Sequence, residues 1–310
     1  MSDAILPLTA GGAGNGANNT AAWDYFHINS VEKGPDGHYL LSARHISTLF
    51  KINGTDGSII WRLGAHKSDF ELGPEVEFGF QHHARYLAGG NDSTTLISLF
   101  DNSYYGTGKN ETGTDVQIYP YSRGKYISID HTEKLATLVK EFIPPKKGIL
   151  TKHQGSVQTL PNGNVLINWG SEGQITEYSS NGTILFHAHL DSGVLADGVQ
   201  NYRAFRYNWT GTSAETPALA VHRTAKGVAA YVSWNGDTRV AHWRFAWKGS
   251  GQGTRIARRS GFETTADLPV QKPAKLQVTA EGIDCHGKVI GRSDSVTVDL
   301  SRDNYLSRLT

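Results

Sequence analysis

The strongest constraint on the fold of this chain is an internal repeat of about 40 residues. The segment from His27 to Trp61 aligns with the segment from His153 to Phe186 with a single one-residue gap. Both segments begin with His-x-x-Ser-Val, pass through a Pro-Asp-Gly or Pro-Asn-Gly turn, and end on an apolar run after a second glycine turn. Four short strands separated by such turns, in a unit of about 40–45 residues, are typical of one β-propeller blade.

Weaker copies of the repeat extend this pattern along the chain. One copy begins at Gln81 and runs to Phe142, and another covers residues 219–247. Residues 133–142 also have helical spacing, but the β pattern around them favours a strand. Four further candidate strands between residues 262 and 300 either close the ring of blades or form a small separate sandwich.

These observations predict an all-β fold in three segments. Residues 1–22 are rich in glycine, alanine and asparagine and predict a flexible N-terminal arm. Residues 23–255 predict a β-propeller of five to six four-stranded blades, and residues 256–310 predict a C-terminal β segment. An incomplete ring would leave unpaired edge strands, so a homodimer is also expected.

The charge balance and the cysteine content exclude several functional classes. The chain has 30 Lys and Arg against 29 Asp and Glu, a net charge of +1, which does not favour nucleic acid or an anionic membrane surface as a partner. No run approaches about 18 consecutive apolar residues, so no membrane span is expected. The single cysteine, Cys285, excludes an intrachain disulfide and a multi-cysteine metal site.

The localisation signals of the chain point in two directions. The N-terminus shows neither a basic region nor a long apolar run, so no signal peptide is recognised. Six Asn-x-Ser/Thr sequons nevertheless occur, at Asn18, Asn53, Asn91, Asn110, Asn181 and Asn208. They indicate either a secretory ancestry or a Ser/Thr-rich β surface that produces sequons by chance.

Three histidines occupy the same position in successive copies of the repeat. His27, His82 and His153 each lie just before the first strand of a unit. In a propeller the innermost strands line an axial channel, so equivalent positions of different blades converge. The three imidazoles therefore predict a site in the channel; the alternative is that they hydrogen-bond neighbouring blades and hold the ring together.

A series of short motifs follows the repeat in a fixed order. They are Phe26-His27-Ile28-Asn29-Ser30-Val31, Leu41–His45, Ile60–Gly64, Phe80–Arg85, His153–Gln158, Asn168-Trp169-Gly170, Tyr202–Arg206, Val232–Gly236, Gly261–Thr264 and Gly287–Ser293. In this order they resemble the arylsulfotransferase family of β-propellers, most closely its fungal branch, over residues 23–298. The resemblance implies transfer of a sulfuryl group from a phenolic sulfate ester to a phenol, without a cofactor.

The resemblance also implies a role for each residue of the channel. The histidine of the Gln-His motif, His82, would be the nucleophile that takes the sulfuryl group. His27, Asn29 and Arg44 would donate hydrogen bonds to the sulfuryl oxygens. His153 would act as a general acid for the leaving phenolate or would orient it.

Four other residues are expected at the substrate. His83 stands where fungal relatives often carry an acid, which alters the tautomer control of His82. Tyr202 and Arg203 either form an anion-and-aromatic wall of the channel or pack on each other. Trp169 is expected to face the pocket. No metal is expected, because no carboxylate lies at matching ligand spacing to the converging histidines.

Two other functions stay open at this stage. Family members carry a further N-terminal section with blades before the His-x-Asn block, whereas only some 25 residues precede it here. This departure favours a recruited propeller, such as a cofactor-free cyclase or pericyclase acting on a polyketide or terpenoid in secondary metabolism. A non-catalytic propeller that binds a ligand or a protein is the other alternative. Asp101-Asn102, after an apolar run, either binds a cation or turns the chain, and the pattern favours the turn.

Overall fold

The computed structural model divides the chain into two compact units, Met1–Arg206 and Tyr207–Thr310. It describes residues 14, 16–20, 22–64, 67–106, 115–146, 148–191, 198–224, 227–249, 251–269 and 275–299. Most of the predicted flexible arm, residues 1–13 together with 15 and 21, lies outside the described residues. Among the described residues, no helix has the length and apolar character needed to cross a membrane.

The first unit begins with a four-stranded antiparallel sheet in chain order. Its strands are β1 (Ile28–Lys33), β2 (Tyr39–Ala43), β3 (Thr48–Ile52) and β4 (Ile59–Leu63). The Pro-Asp-Gly turn joins β1 to β2, where Gly37 has a φ of 82° that favours glycine. The first copy of the repeat thus forms one meander of blade type.

The second sheet has the same meander with one added strand. Its strands are β5 (Glu71–Leu72), β6 (His82–Tyr86), β7 (Thr94–Asp101), β10 (Arg123–Asp130) and β11 (Leu135–Phe142). β5 pairs in parallel with β11 at the outer edge, and the other pairs are antiparallel. The small pair β8 (Tyr104–Tyr105) and β9 (Val116–Gln117) lies between β7 and β10 in the chain. The predicted strand within residues 133–142 is confirmed as β11.

The third sheet repeats the order of the first. Its strands are β12 (Ser156–Thr159), β13 (Val165–Asn168), β14 (Gln174–Tyr178) and β15 (Ile184–His189), with a 3₁₀ turn at Gly170–Glu172. The two segments that align in the sequence therefore form two sheets of identical strand order. The innermost strands of the three sheets are neighbours, because β6 lies against both β1 and β12.

Neighbouring sheets of this unit share apolar cores. Leu40, Leu49 and Leu63 of the first sheet pack in one buried cluster with Ile97 and Ile127 of the second. A second cluster joins the second and third sheets and contains Phe100, Phe142, Val157, Ile167 and Trp169. Each fully buried Leu, Ile or Phe stabilises the fold by about 1.5–3 kcal/mol. These clusters fix the sheets face to face and so hold their inner strands in place.

The second unit is a β-sandwich. One sheet contains β16 (Ala218–Thr224), β17 (Gly227–Ser233) and β20 (Glu263–Leu268). The other contains β18 (Val240–Gly249), β19 (Gly253–Arg258), β21 (Lys275–Asp284), β22 (Val289–Arg292) and β23 (Val296–Asp299). Trp243, Phe245 and Trp247 alternate inward along β18 and share one core with Val232 and Leu268 of the other sheet.

The all-β prediction is confirmed, but the predicted ring of five to six blades is not found. The described residues form three meander sheets and a sandwich, with no closed propeller. The weak copy at 219–247 does not form a blade, because β17 pairs with β20 and β18 pairs with β21. These pairings cross the predicted division at residues 255 and 256, which falls inside the second unit.

Candidate functional site

The candidate site lies where the innermost strands of the first unit begin. His82 is the first residue of β6, Asn29 lies in β1, and His153 precedes β12 by three residues. A strap of irregular backbone, residues 198–206, follows the third sheet and runs along β12. Hydrogen bonds to Ser156 and Gln158 hold this strap in place.

The hydrogen bonds around His82 fix its tautomer. Asn102 Nδ2 donates to the carbonyl oxygens of Thr151 and Gln154 at 3.0 Å each, so its Oδ1 must face His82. The distance from His82 Nδ1 to this Oδ1 is 2.8 Å, and that to the Phe80 carbonyl oxygen is 3.1 Å. Both partners of Nδ1 are acceptors, so Nδ1 carries the proton and Nε2 holds the free electron pair.

The environment keeps this imidazole neutral. His82 is only 3% exposed, and burial, together with the positive charge of Arg44, lowers the pKa of His82 to about 3. The Gln154 N–H donates to Nε2 over 3.2 Å, longer than the 2.8 Å bond on the Asn102 side. His82 is therefore a buried, neutral base whose electron pair is only weakly engaged.

Arg44 is the buried cation of the site. It is 6% exposed, and its Nε has no hydrogen-bond partner in the structure. Its other nitrogens donate to the Lys152 carbonyl oxygen at 2.8 Å and to His45 Nε2 at 2.6 Å, and its guanidinium lies 4.9 Å from the ring centre of Tyr105. Burial lowers the pKa of Arg44 to about 10, so it stays charged at neutral pH. A charged donor with an unpartnered, buried N–H is suited to an oxyanion.

His27 belongs to a network with Asp24 and His45. Asp24 Oδ2 contacts His27 Nδ1, and the ring centres of His27 and His45 are 4.6 Å apart. The carboxylate orients His27, whose side chain is 39% exposed. His27 lies within electrostatic range of His82, so this network borders the same site.

The ligand atoms of Asp24, His27 and His45 lie within 4.8 Å of one another, which is close enough for a metal ion. The hydrogen bonds do not fit one. Arg44 donates to His45 Nε2, so His45 Nδ1 carries the proton and donates to the Asp24 carbonyl oxygen. Histidines that bind metals use a free nitrogen and donate from the other one. His45 donates from Nδ1, but its Nε2 already accepts from Arg44 and is not free for a metal, and the adjacent guanidinium repels a cation.

His153 and Tyr202 lie on the solvent side of this site. His153 is partly exposed, its Nε2 lies 3.3 Å from Gln200 Oε1, and burial together with Arg44 lowers its pKa. The ring of Tyr202, on the strap, meets His82 edge to face with centres 6.3 Å apart. Arg44 thus has His82, His153 and Tyr202 within electrostatic range.

His83, Arg203 and Asn29 have a different set of contacts. Asn29 Nδ2 donates to the Gln81 carbonyl oxygen at 2.6 Å, and the Asn29 carbonyl oxygen accepts from Arg203 at 2.9 Å. His83 contacts the ring of Phe205 with centres 5.4 Å apart. The residues expected at one site thus form two adjacent groups, one around Arg44 and one around Arg203.

Comparison with known proteins identifies the family. The sequence profile described as "Arylsulfotransferase (ASST)" matches residues 4–191. The chain belongs to the arylsulfotransferase family. This match ends within the first unit. It covers all three meander sheets but does not reach the strap at residues 198–206. Among curated proteins, none matches the chain significantly.

Solved structures give only distant similarity. A protein of unknown function from Bacteroides caccae is 15% identical, with a TM-score of 0.33 over 86% of this chain and 81% of that one. Streptogramin B lyase is 11% identical, with a TM-score of 0.30 over 89% of this chain and 70% of that one. Hydrazine synthase of Kuenenia stuttgartiensis is 11% identical, with a TM-score of 0.24 over 89% and 66%. These values carry no functional argument. Assignment to the fungal branch of the arylsulfotransferase family stays a prediction.

Trp169 does not occupy the position expected for it. It is fully buried in the core between the second and third sheets, where its ring lies edge to face with Phe100. Its indole Nε1 donates to Thr176 Oγ1 at 2.8 Å. Val165, Ile167 and Trp169 are alternate residues that pack in the same buried cluster, so the Trp169 ring lies in the core instead of facing a pocket.

Sequence reasoning missed three members of the candidate site. Asn102 was interpreted as part of a turn, yet its side chain is fully buried and holds His82. Asp24 and His45 also carried no expectation, although both contact the His27 network. The position of Asn102 directly after an apolar strand, in the same copy of the repeat as the Gln-His motif, is the signal that could have identified it.

Proposed function

We propose that this chain is a sulfuryl transferase that uses His82 as its nucleophile. The observation that carries the proposal is the pairing of a neutral imidazole of fixed tautomer with a buried guanidinium whose Nε has no acceptor. The imidazole supplies an electron pair, and the guanidinium supplies a binding site for anionic sulfuryl oxygens. Membership in the arylsulfotransferase family supports an aryl sulfate as the donor.

In the first step His82 Nε2 attacks the sulfur of the aryl sulfate. The N–S bond forms while the bond from sulfur to the phenolic oxygen breaks, and the phenolate leaves with the electron pair. Nδ1 keeps its proton throughout, because it is hydrogen-bonded to two acceptors. Arg44 donates hydrogen bonds to the sulfuryl oxygens, and His153, on the open side, donates a hydrogen bond to the departing phenolate, which takes its proton from solvent.

In the second step an acceptor phenol takes the sulfuryl group. Its oxygen attacks sulfur, the N–S bond breaks, and the electron pair returns to Nε2. The phenol proton passes to a base at the solvent side, for which His27, oriented by Asp24, is placed. Tyr202, which is 49% exposed beside His82, supplies an aromatic surface for either ring.

The test is turnover of 4-nitrophenyl sulfate with phenol as the acceptor. Wild type should release nitrophenolate, and intact protein given the donor alone should gain the mass of one sulfuryl group. His82→Ala should lose both signals. His222→Ala, an exposed histidine of the second unit, is the matched control and should keep both. A modified His82→Ala protein, or turnover without a covalent adduct, would refute the nucleophile.

A cofactor-free cyclase stays the second candidate, and one observation favours it. His82 Nε2 already accepts the Gln154 N–H, so the imidazole also suits proton transfer without covalent attack. A folded wild type that neither turns over aryl sulfates nor takes up a sulfuryl group, but cyclises a polyketide or terpenoid in a His82-dependent way, would decide for this reading. A protein that binds a ligand but catalyses neither reaction would favour the non-catalytic alternative. A homodimer likewise stays a prediction, which sedimentation at several concentrations would test.

A further inference from the structure

A second set of unpartnered donors lies around His83, the residue that follows His82 in β6. His83 is 3% exposed, and the Val157 N–H donates to its Nδ1 at 3.3 Å. Nδ1 is therefore the acceptor of this imidazole, and the proton lies on Nε2. His83 Nε2 and Arg203 Nε are both buried and have no acceptor in the structure. Two buried N–H donors without acceptors lower the stability of the fold unless a ligand or a water accepts their hydrogen bonds.

The charge around these donors is positive. Arg85 and Arg203 both lie within electrostatic range of His83. Burial and these two guanidiniums lower the pKa of His83 to about 3, so the imidazole stays a neutral donor. Glu32 lies near Arg85, but its carboxylate already accepts the Tyr86 N–H at 2.6 Å. Two guanidiniums therefore act on His83, and Glu32 acts on Arg85, one of the two.

This group is separate from the Arg44 site. His82 contacts Asn102 and the Gln154 N–H, whereas His83 contacts Val157 and the ring of Phe205. Phe205 belongs to the strap and is 44% exposed. It places an aromatic face beside the donors, open to solvent on one side.

We propose that His83 Nε2 and Arg203 Nε form a second oxyanion site, which binds the carboxylate of an aromatic ligand against Phe205. The two N–H groups donate to the carboxylate oxygens, and the Phe205 ring stacks on the arene. Arg203 is held for this purpose by its hydrogen bond to the Asn29 carbonyl oxygen. The nearby Asn29 Oδ1, which has no donor, is available to a water or a hydroxyl of the ligand. The site does not depend on sulfuryl transfer.

Calorimetric titration with benzoate tests the site, with benzamide as the neutral probe of equal shape. Wild type should bind benzoate more tightly than benzamide at pH 7. Arg203→Gln should weaken benzoate at least about tenfold, which is the size expected when one charged donor is removed. Arg258→Gln, at an exposed arginine of the second unit, should bind benzoate like wild type.

Four results would overturn the proposal. Equal binding of benzoate and benzamide would mean that no oxyanion site exists and that water fills the donors. Unchanged benzoate binding in Arg203→Gln would mean that the ligand lies elsewhere, and its loss in Arg44→Gln alone would place it at the first site. NMR of the wild type needs no variant: benzoate should shift the His83 Nε2 signal and leave that of His222 unchanged. No shift at saturation would also refute the site.

Discussion

Replacing Asn102 with alanine tests whether one buried amide controls the tautomer of His82. The variant removes three hydrogen bonds, one to His82 Nδ1 and two to the carbonyl oxygens of Thr151 and Gln154. At about 1 kcal/mol each, the free energy of unfolding should fall by about 3 kcal/mol. The Phe80 carbonyl oxygen still accepts from Nδ1, so the tautomer preference should fall by one hydrogen bond only. A loss of about 1 kcal/mol corresponds to about a fivefold fall in the preference for the active tautomer.

The expected kinetic result is a kcat up to about fivefold lower with an unchanged KM for 4-nitrophenyl sulfate, because Arg44 is untouched. Asn164→Ala is the matched control, since Asn164 Nδ2 donates to Glu177 Oε1 away from the site. It should lose stability without losing kcat. An Asn102→Ala protein that is destabilised but keeps the wild-type kcat would refute the tautomer argument. A rise in KM alone would show that the amide acts on binding.

Three further predictions follow from the same contacts. The pKa of His45 is lowered to about 4 and those of His82 and His83 to about 3, so the unfolded chain binds more protons than the folded protein below about pH 6.5. The free energy of unfolding, measured with urea, should be level above that pH and should fall by up to about 4 kcal/mol per pH unit as the pH drops towards 4. A flat profile would contradict these shifts. Arg44→Lys should lower kcat/KM for the aryl sulfate about a hundredfold, because an ammonium lacks the planar fork, and a variant with wild-type kcat/KM would show that the guanidinium does not hold the sulfuryl group. Trp169→Phe should lower the melting temperature, with a loss of about 1–3 kcal/mol, and leave KM unchanged, whereas a changed KM would place the indole at the substrate after all.

The repeat made the first unit predictable, and the same reasoning failed for the second. Residues 27–61 and 153–186 share their turn chemistry, and local turns determine the order of a meander. In the second unit Asn235-Gly236 looks like another hairpin turn, yet it connects β17 to β18, which belong to different sheets. Strand patterns specify which face is buried but not which distant strand is the partner. The pairing of β17 with β20 is set by the shared core, which no local signal reveals.

For the site, the sequence identified residues whose role follows from their type and missed those whose role follows from contact. Arg44 and His82 are residue types that suggest a catalytic or anion-binding role wherever they are buried. Asn102 and Asp24 act by hydrogen-bonding a histidine across a turn or between strands, and either residue type is equally common in a plain turn. The sequence also could not predict that His82 and His83 have different contacts, because the backbone conformation determines the direction in which each imidazole points.

Backbone strain explains how neighbouring histidines come to serve two sites. The described residues contain eight non-glycine positions with positive φ, and five of them surround this site: His27 at 53°, Phe80 at 54°, His83 at 54°, Ser103 at 54° and Gln154 at 69°. Each costs about 1–2 kcal/mol relative to an ordinary conformation. At His83 the turn coincides with a shift in the register of β6 against β7, which breaks the simple alternation of the strand. At Gln154 it directs a backbone N–H at His82 Nε2. The strained residues lie where their backbone conformation sets the direction of N–H donors and imidazoles. The packing of the neighbouring sheets stabilises the fold enough to maintain these conformations.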